Sequence, residues 1–316
     1  MTKPFIVVCD GMDSHQFKRL QTMDEFEVHP EKKVTQDQLD ELLPKASGLI
    51  IRSATTVTAE TLEKAPNLKY VIRAGEGTDN IDKKSCELKG VKVSNTPGAN
   101  NNSAAEHAIA LMMTVLRKTA FAHQTMRSGG WDKSKYTGVE LWKKRIGIIG
   151  FGRIGQIVAR RLAGFEVEVE FYDPFLEESD IPYAKREKDI NKIFAECDII
   201  SIHVPLMDAT RNLITSTQLD LMKEGAIIVN AARGGIVNEE DLHNVLSTNR
   251  IRGAGFDVFA TEPLPETSKL RTLNNIVLTP HLGASTEEAQ VRVGEMAVNQ
   301  MREFFTNNNL LNEVKA

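Results

Sequence analysis

The segment Gly150-Phe151-Gly152-Arg153-Ile154-Gly155 restricts the fold more than any other part of this chain. It follows the apolar run Arg145–Ile149 and opens a stretch with Ile154, Ile157, Val158 and Leu162 on one helical face. A strand, a glycine turn and an amphipathic helix in that order make the first half of a parallel strand–helix–strand unit. Gly150 permits the tight turn, Gly152 lets backbone approach a pyrophosphate, and Gly155 allows the helix to pack closely on the strand. The helix start offers free N–H groups and a positive dipole end to phosphates. Asp173 ends the next apolar run, 18 residues after Gly155. A carboxylate there accepts bonds from the ribose 2′-OH and repels a 2′-phosphate. The following Pro174-Phe175-Leu176-Glu177 supplies no cation for that phosphate, so the segment predicts NAD rather than NADP.

The same alternation runs along the whole chain. Phe5–Cys9, Gly48–Ile51, Tyr70–Ile72 and Val91–Val93 read as strands in the first third. Helical patterns lie between them, among them Gln38–Leu43 and Ala59–Ala65, the latter with Thr58 as N-cap. In the middle, Arg145–Ile149, Val167–Tyr172, Asp198–Ile202, Ala226–Val229, Gly253–Val258 and Ile276–Leu278 read as six strands, enough for a doubly wound nucleotide-binding sheet. The Val-Glu-Val-Glu alternation from Val167 is unusual for a parallel strand buried on both faces. Long helices from about Ser103 to Arg127 and from about Thr286 to Phe305 flank this block. They predict an α/β protein of two Rossmann-like, doubly wound parallel-sheet domains, the first discontinuous. Residues 1–99 plus 285–316 would form the substrate-binding domain and 100–284 the NAD-binding domain, with the ligand cleft between them.

Composition excludes several classes. Lys and Arg number 39 against 43 Asp and Glu, a net charge of −4 without the basic excess of a nucleic-acid binder. No apolar run reaches the ~18 residues of a membrane span, and the start MTKPFIVVCD is too soon interrupted by charge for a signal peptide. A cytoplasmic protein is expected. Cys9, Cys86 and Cys197 lie far apart without a CxxC pair, which argues against disulfides and structural zinc; Cys9 and Cys197 read as core. His15, His29, His123 and His243 lack partners at metal-ligand spacing, so no metal is expected.

Three segments read as loops at the carboxyl ends of strands, where ligands of open α/β sheets sit. They are Val229–Gly235 with Arg233, Asp257–Pro263 with Glu262, and Thr279–Ala284 with His281. Oxidising an alcohol needs a base for the hydroxyl proton as hydride leaves carbon, and His titrates in the useful range. A carboxylate beside it stabilises the imidazolium and orients the ring, and a guanidinium binds a carboxylate in bidentate fashion.

On these residues the chain resembles the D-2-hydroxyacid dehydrogenase family, and within it the branch acting on 3-phosphoglycerate. The resemblance runs through RSATTVTAE, RAGEGTDNID, NTPGANNNSAAEH, GFGRIGQIVARRLAGF, VNAARGGIVNEEDL, GFDVFATEPLP and TPHLGAST, nearly the whole chain. It implies that Arg233, Glu262 and His281 are the catalytic set. It puts cofactor contacts on Gly150, Gly152, Arg153, Ile154, Gly155, Asp173, His203, Val204, Pro205, Ala231, Ala232, Arg233, Asp257, His281, Gly283 and Ala284. His203 would support the cofactor loop rather than do chemistry. Substrate contacts would fall on Arg52, Arg73, Gly75, Glu76, Gly77, Asn100, Arg233 and His281. The resemblance further implies a homodimer joined through the NAD-binding domains and the oxidation of 3-phosphoglycerate to 3-phosphohydroxypyruvate.

Arg52 and Arg73 sit at strand ends where they would hold a phosphate or carboxylate, or would form structural ion pairs. Lys133 and Lys135 would add charge from the partner subunit, or are solvated surface charges. Glu76 departs from the small or apolar residue usual between Gly75 and Gly77, and its charge would repel an anionic substrate unless it is turned away or paired. His107 follows Glu106 on the long helix and reads as structural. The alternatives are a hydroxypyruvate or glyoxylate reductase and an NAD-sensing corepressor. Because the chain stops at Ala316 as its closing helix runs out, no serine feedback through a domain of its own is expected.

Overall fold

The computed structural model describes residues 2–316, which divide into two compact units, 2–100 with Ala284–Ala316 and Asn101–Gly283. The first begins β1 (Phe5–Val8), α1 (Ser14–Gln21), β2 (Glu27–Val28), α2 (Gln36–Leu42), β3 (Gly48–Ile51), α3 (Ala59–Lys64), β4 (Tyr70–Arg73), α4 (Lys83–Leu88) and β5 (Lys92–Asn95). Its strands form one parallel sheet in the order β2-β1-β3-β4-β5. Burial on both faces explains the continuous apolar runs: Val7, Leu49, Ile51 and Val71 pack on one side, Ile6, Val8, Ile50 and Ile72 on the other. Thr58 caps α3 through a reciprocal pair with Thr61, as its position predicts.

The second unit contains α5 (Asn101–Arg117), α6 (Thr119–Arg127), β6 (Arg145–Ile149), α7 (Arg153–Leu162), β7 (Glu168–Tyr172), β8 (Ala184–Arg186), α8 (Ile190–Glu196), β9 (Ile199–Ile202), α9 (Ser216–Leu219), β10 (Ile227–Asn230), α10 (Glu239–Ser247), β11 (Gly253–Phe256) and β12 (Ile276–Leu278). Among the described residues these give a seven-stranded parallel sheet, β12-β11-β10-β9-β6-β7-β8. The chain leaves β6 toward β7 and returns to β9 on the other side. This reversal opens a crevice at the carboxyl ends of β6 and β9. The chain then returns to the first unit as α11 (Glu287–Asn307), whose Val293, Ala297, Val298 and Met301 are buried there with Ile6 and Ile50.

Two expectations are corrected and a third is explained. The single helix from about Ser103 to Arg127 is two, α5 and α6, because Val139 N–H takes the Leu116 carbonyl that would continue the ladder, and Lys118 turns left-handed (φ 53°). Each sheet also gains an outer strand, β2 and β8, both short and partly exposed, with no apolar run to mark them. The alternating β7 is explained by Arg145, which pairs with Glu168 at 3.4 Å and Glu170 at 3.1 Å on one face while Val169 and Phe171 fill the other. Cys9 and Cys197 are buried among apolar residues, and burial pushes both thiols up. Among the described residues no helix is long and apolar enough to cross a membrane.

Candidate active site

At the crevice of the second unit, Gly150 is left-handed (φ 91°), and a Cβ there would lie 2.7 Å from Val204 Cγ1 and 2.8 Å from the His203 carbonyl. A Cβ on Gly155 would meet the Gly150 carbonyl at 2.3 Å, so α7 packs on the turn only with glycine there. Gly152 caps α7 without a side-chain bond, and a Cβ on it would meet nothing within 4 Å. The first N–H groups of a ten-residue helix therefore open onto free space, which fits a pyrophosphate. Asp173 Oδ2 accepts from Phe151 N at 2.8 Å and Oδ1 from Phe175 N at 2.9 Å, fixing the carboxylate beside the glycine turn. His203 Nε2 lies 2.8 Å from Ser201 Oγ, and burial pushes this imidazole down to about 4, so it stays neutral and braces the loop that carries Val204 and Pro205.

The next three strands end in the segments that carry Arg233, Glu262 and His281. After β10, buried Asn230 shapes the turn: its Nδ2 donates to the Arg233 carbonyl at 2.9 Å and its Oδ1 accepts from Ala232 N at 3.1 Å. Arg233 Nη1 donates to the Ala232 carbonyl at 2.6 Å. Gly234 then passes so close to the next loop that a Cβ would fall 1.8 Å from the Phe259 carbonyl oxygen. In that loop Glu262 Oε1 accepts from Phe259 N at 3.0 Å and Oε2 meets His281 Nδ1 at 2.7 Å. Both side chains are about one-third exposed, 34% and 35%. Burial pushes the Glu262 carboxyl up, but the bonds from His281 and Phe259 N outweigh it and hold the group below the usual carboxylate range. With Nδ1 tied to a carboxylate, the outer Nε2 of His281 is left to exchange a proton.

His281 itself is left-handed (φ 56°), a strained conformation for this residue. Asp257 holds it there. The Asp257 carbonyl accepts from His281 N at 2.9 Å, while its carboxylate accepts from Thr279 Oγ1 at 2.6 Å, Leu282 N at 2.8 Å and Gly283 N at 2.9 Å. His107 Nε2 on α5 lies 3.1 Å from both Thr279 Oγ1 and Asp257 Oδ1. The Asp257 side chain is wholly enclosed and braces the His281 turn. Burial raises its carboxyl, and the bonds from His107, Thr279 and Leu282 N bring it below the usual range. The sequence had His107 as a structural residue of the long helix, and nothing in the local pattern announces its contact with Asp257.

The first unit, taken by itself, carries the expected substrate residues in the loops after β3 and β4. Asp10 Oδ2 accepts from Arg52 N at 2.5 Å and Thr55 N at 3.0 Å, and Asn80 Nδ2 donates to the Arg52 and Thr55 carbonyls, both at 2.6 Å. The Arg52 guanidinium is half-buried; burial lowers it, Asp10 partly offsets this, and among the described residues it has no ion pair. Arg73 folds over Gly75, where a Cβ would lie 1.4 Å from its Nη1. Glu76 Oε2 accepts from Gly98 N at 2.7 Å and its carbonyl from Asn95 Nδ2 at 2.6 Å. Asn100 is buried, and among the described residues its Oδ1 has no hydrogen-bond partner. Gly77 lies in the same loop as Glu76, Ala231 follows β10, and Ala284 opens the return to the first unit. Lys133 and Lys135 are exposed on the second unit.

A dinucleotide crevice beside a His–Glu pair and an arginine defines a nicotinamide-dependent oxidoreductase. Residues 109–283 match the pattern of the D-isomer specific 2-hydroxyacid dehydrogenase NAD binding domain, and the chain belongs to that family of dehydrogenases. It is 43% identical over 296 residues to a hydroxypyruvate reductase of Thermotoga maritima, covering 93% of this chain and 96% of that one. A D-3-phosphoglycerate dehydrogenase of Methanocaldococcus jannaschii is 40% identical over 299 residues, 94% of this chain but 56% of its own length, so the chain spans little more than half of that relative. Among solved structures, the NAD-dependent formate dehydrogenase of Staphylococcus aureus in complex with NAD is similar at TM-score 0.85 and 30% identity, with 100% and 99% of the chains covered.

Proposed function

We propose that this chain oxidises 3-phosphoglycerate to 3-phosphohydroxypyruvate with NAD, the reaction being reversible. Arg52 carries the substrate assignment: a half-buried guanidinium without an ion pair among the described residues, at the end of a strand, suits a phosphate. Bound NAD supplies the hydride acceptor. Gly150, Gly152, Gly155, the α7 N-terminus and Asp173 would hold it, with Arg153, Ile154, Val204, Pro205, Ala231, Ala232, Gly283 and Ala284 around them. His281 Nε2 takes the hydroxyl proton in oxidation and returns it in reduction. Glu262 orients the ring and stabilises the imidazolium. Arg233 anchors the substrate carboxylate, with Arg73, the Gly75–Gly77 loop and Asn100 supporting the substrate.

Following NADH absorbance with phosphohydroxypyruvate, hydroxypyruvate and glyoxylate side by side tests this. The phosphorylated acid should be preferred, and Arg52→Gln should raise its KM roughly 100-fold, the loss of a charge-assisted anion contact, while leaving hydroxypyruvate unaffected. A preference for the unphosphorylated acids overturns the assignment in favour of a hydroxypyruvate reductase. The near full-length similarity to the Thermotoga maritima protein of that name favours this second reading. No turnover with any of the three overturns both readings.

We also propose a homodimer through the second unit, supported by exposed Met126, Trp131 and Trp142. Light scattering at micromolar concentration should give twice the 35.1 kDa chain mass, and a monomer overturns it. The three buried free thiols suit a reducing compartment such as the cytoplasm.

A further inference from the structure

His107 stands on α5, 172 residues before the Thr279 it touches, with its side chain 19% exposed. The hydrogen-bond arithmetic around it has one solution. The single hydroxyl proton of Thr279 goes to Asp257 Oδ1 at 2.6 Å, so Thr279 Oγ1 must accept from its other neighbour, His107 Nε2 at 3.1 Å. The second neighbour of Nε2 is Asp257 Oδ1, also an acceptor at 3.1 Å. Nε2 therefore carries a proton shared between two oxygens. Asp257 Oδ1 in turn serves Thr279, His107 and Leu282 N, and Oδ2 serves Gly283 N.

We propose that His107 is a positioning residue for the His281 turn, its Nε2–H fixing the Asp257 carboxylate as an anion aimed at the Leu282 and Gly283 N–H groups. The consequence is a pair of histidine–carboxylate units in series. The His107 N–H draws on the Asp257 charge, which lessens what that enclosed carboxylate adds to the field that Glu262 exerts on His281. From the elements packed around Asp257, α5 presents His107, the loop after β11 presents Glu262 and the turn after β12 presents His281. Neighbouring Glu106 is turned to Arg161 at 3.2 Å, and β10 carries no charge.

The inference rests on the role proposed for His281, so one readout is chosen that needs no turnover. In the 15N-labelled full chain, long-range 1H–15N correlation at neutral pH should show the His107 ring protonated at Nε2, assigned by its absence in His107→Gln. A ring protonated only at Nδ1 overturns the proposal whatever the substrate. The second readout is kinetic. His107→Phe keeps ring volume and removes the donor; it should lower kcat roughly tenfold with KM little changed, as loss of one charge-assisted bond implies. In the oxidation direction it should move the acid limb of kcat/KM upward, the direction expected when the Asp257 carboxylate loses a donor. His107→Gln, which keeps a donor within reach, should restore both. An unchanged pH profile in His107→Phe, or no recovery in His107→Gln, overturns the proposal.

Discussion

Replacing Glu262 by Gln tests the chemistry of the site more sharply than removing His281, because the change is one atom. Two donors converge on the wild-type carboxylate, Phe259 N on Oε1 at 3.0 Å and His281 Nδ1 on Oε2 at 2.7 Å. An amide has one acceptor oxygen for these two donors. If the oxygen stays with His281, the Phe259 N–H faces an NH2 group and is left unsatisfied. If it stays with Phe259, the NH2 group donates to His281 Nδ1 and drives the proton to Nε2, the atom that must be empty to act as base. Either way the imidazolium loses its counter-charge. A charge-assisted bond contributes about 1.5–3 kcal/mol, and one-third exposure to water trims the Coulombic part. A loss of about 2–3 kcal/mol corresponds to a fall of roughly 30- to 150-fold in kcat/KM for hydroxy-acid oxidation. NADH affinity by fluorescence titration should stay within about twofold, since the cofactor turn is untouched. The acid limb in oxidation should move to lower pH, because the proton on His281 is held less firmly without the carboxylate. A variant with wild-type kcat/KM and an unmoved limb would refute the role given to Glu262.

Two further substitutions probe the scaffold. Asp257→Asn should destabilise the protein by about 3 kcal/mol at pH 7, the cost of replacing an enclosed anion that serves several donors. Because the carboxyl is held below its usual range, that stabilisation is complete above the unfolded-chain value of about 3.9 and lost as pH falls through the lower native value. Urea melts at pH 7, 5, 4 and 3 should therefore show the gap to wild type closing in acid, and a gap independent of pH would contradict this. Gly234→Ala should cost about 3 kcal/mol by overpacking, since its Cβ would fall on the Phe259 carbonyl. A melting temperature within 1–2 °C of wild type, which for a domain of this size means under about 1 kcal/mol, would show that the loop can yield.

The inner strands of each sheet were legible because each is buried on both faces and must be an unbroken apolar run. β6, β3 and β12 fall on the expected residues, while β10 and β11 differ only at their ends. What escaped has a common physical cause. β2 and β8 lie at sheet edges, where one neighbour and partial exposure remove the need for apolar residues, and Ala-Lys-Arg at 184–186 looks like any loop. The break between α5 and α6 depends on Val139 reaching back to the Leu116 carbonyl, a bond across 23 residues that no local pattern announces. In the site, the strand-end position of Arg233, Glu262 and His281 was readable from loop motifs, and the structure brings Glu262 and His281 into contact. The meeting of His107 with Asp257 was not readable, because it needs α5 to lie across the end of β11, which is tertiary information.

Glu76 shows how a residue that breaks a pattern is absorbed by its surroundings. A carboxylate between two glycines in a loop expected to offer N–H groups to an anion is unfavourable if it points into that space. Here its Oε2 accepts the Gly98 N–H at 2.7 Å, and its own carbonyl accepts from Asn95 Nδ2 at 2.6 Å. The residue thus ties the loop after β4 to the turn after β5 by two bonds. Gly98 is left-handed (φ 81°), a conformation that leaves its N–H free to point at a side chain rather than into a helix. Charge that would repel an anion is spent on a backbone donor, and the bond to Gly98 N is a brace that an apolar residue at position 76 would not provide. The departure is therefore compatible with an anionic substrate, because the group that seemed to oppose the substrate is committed to the fold.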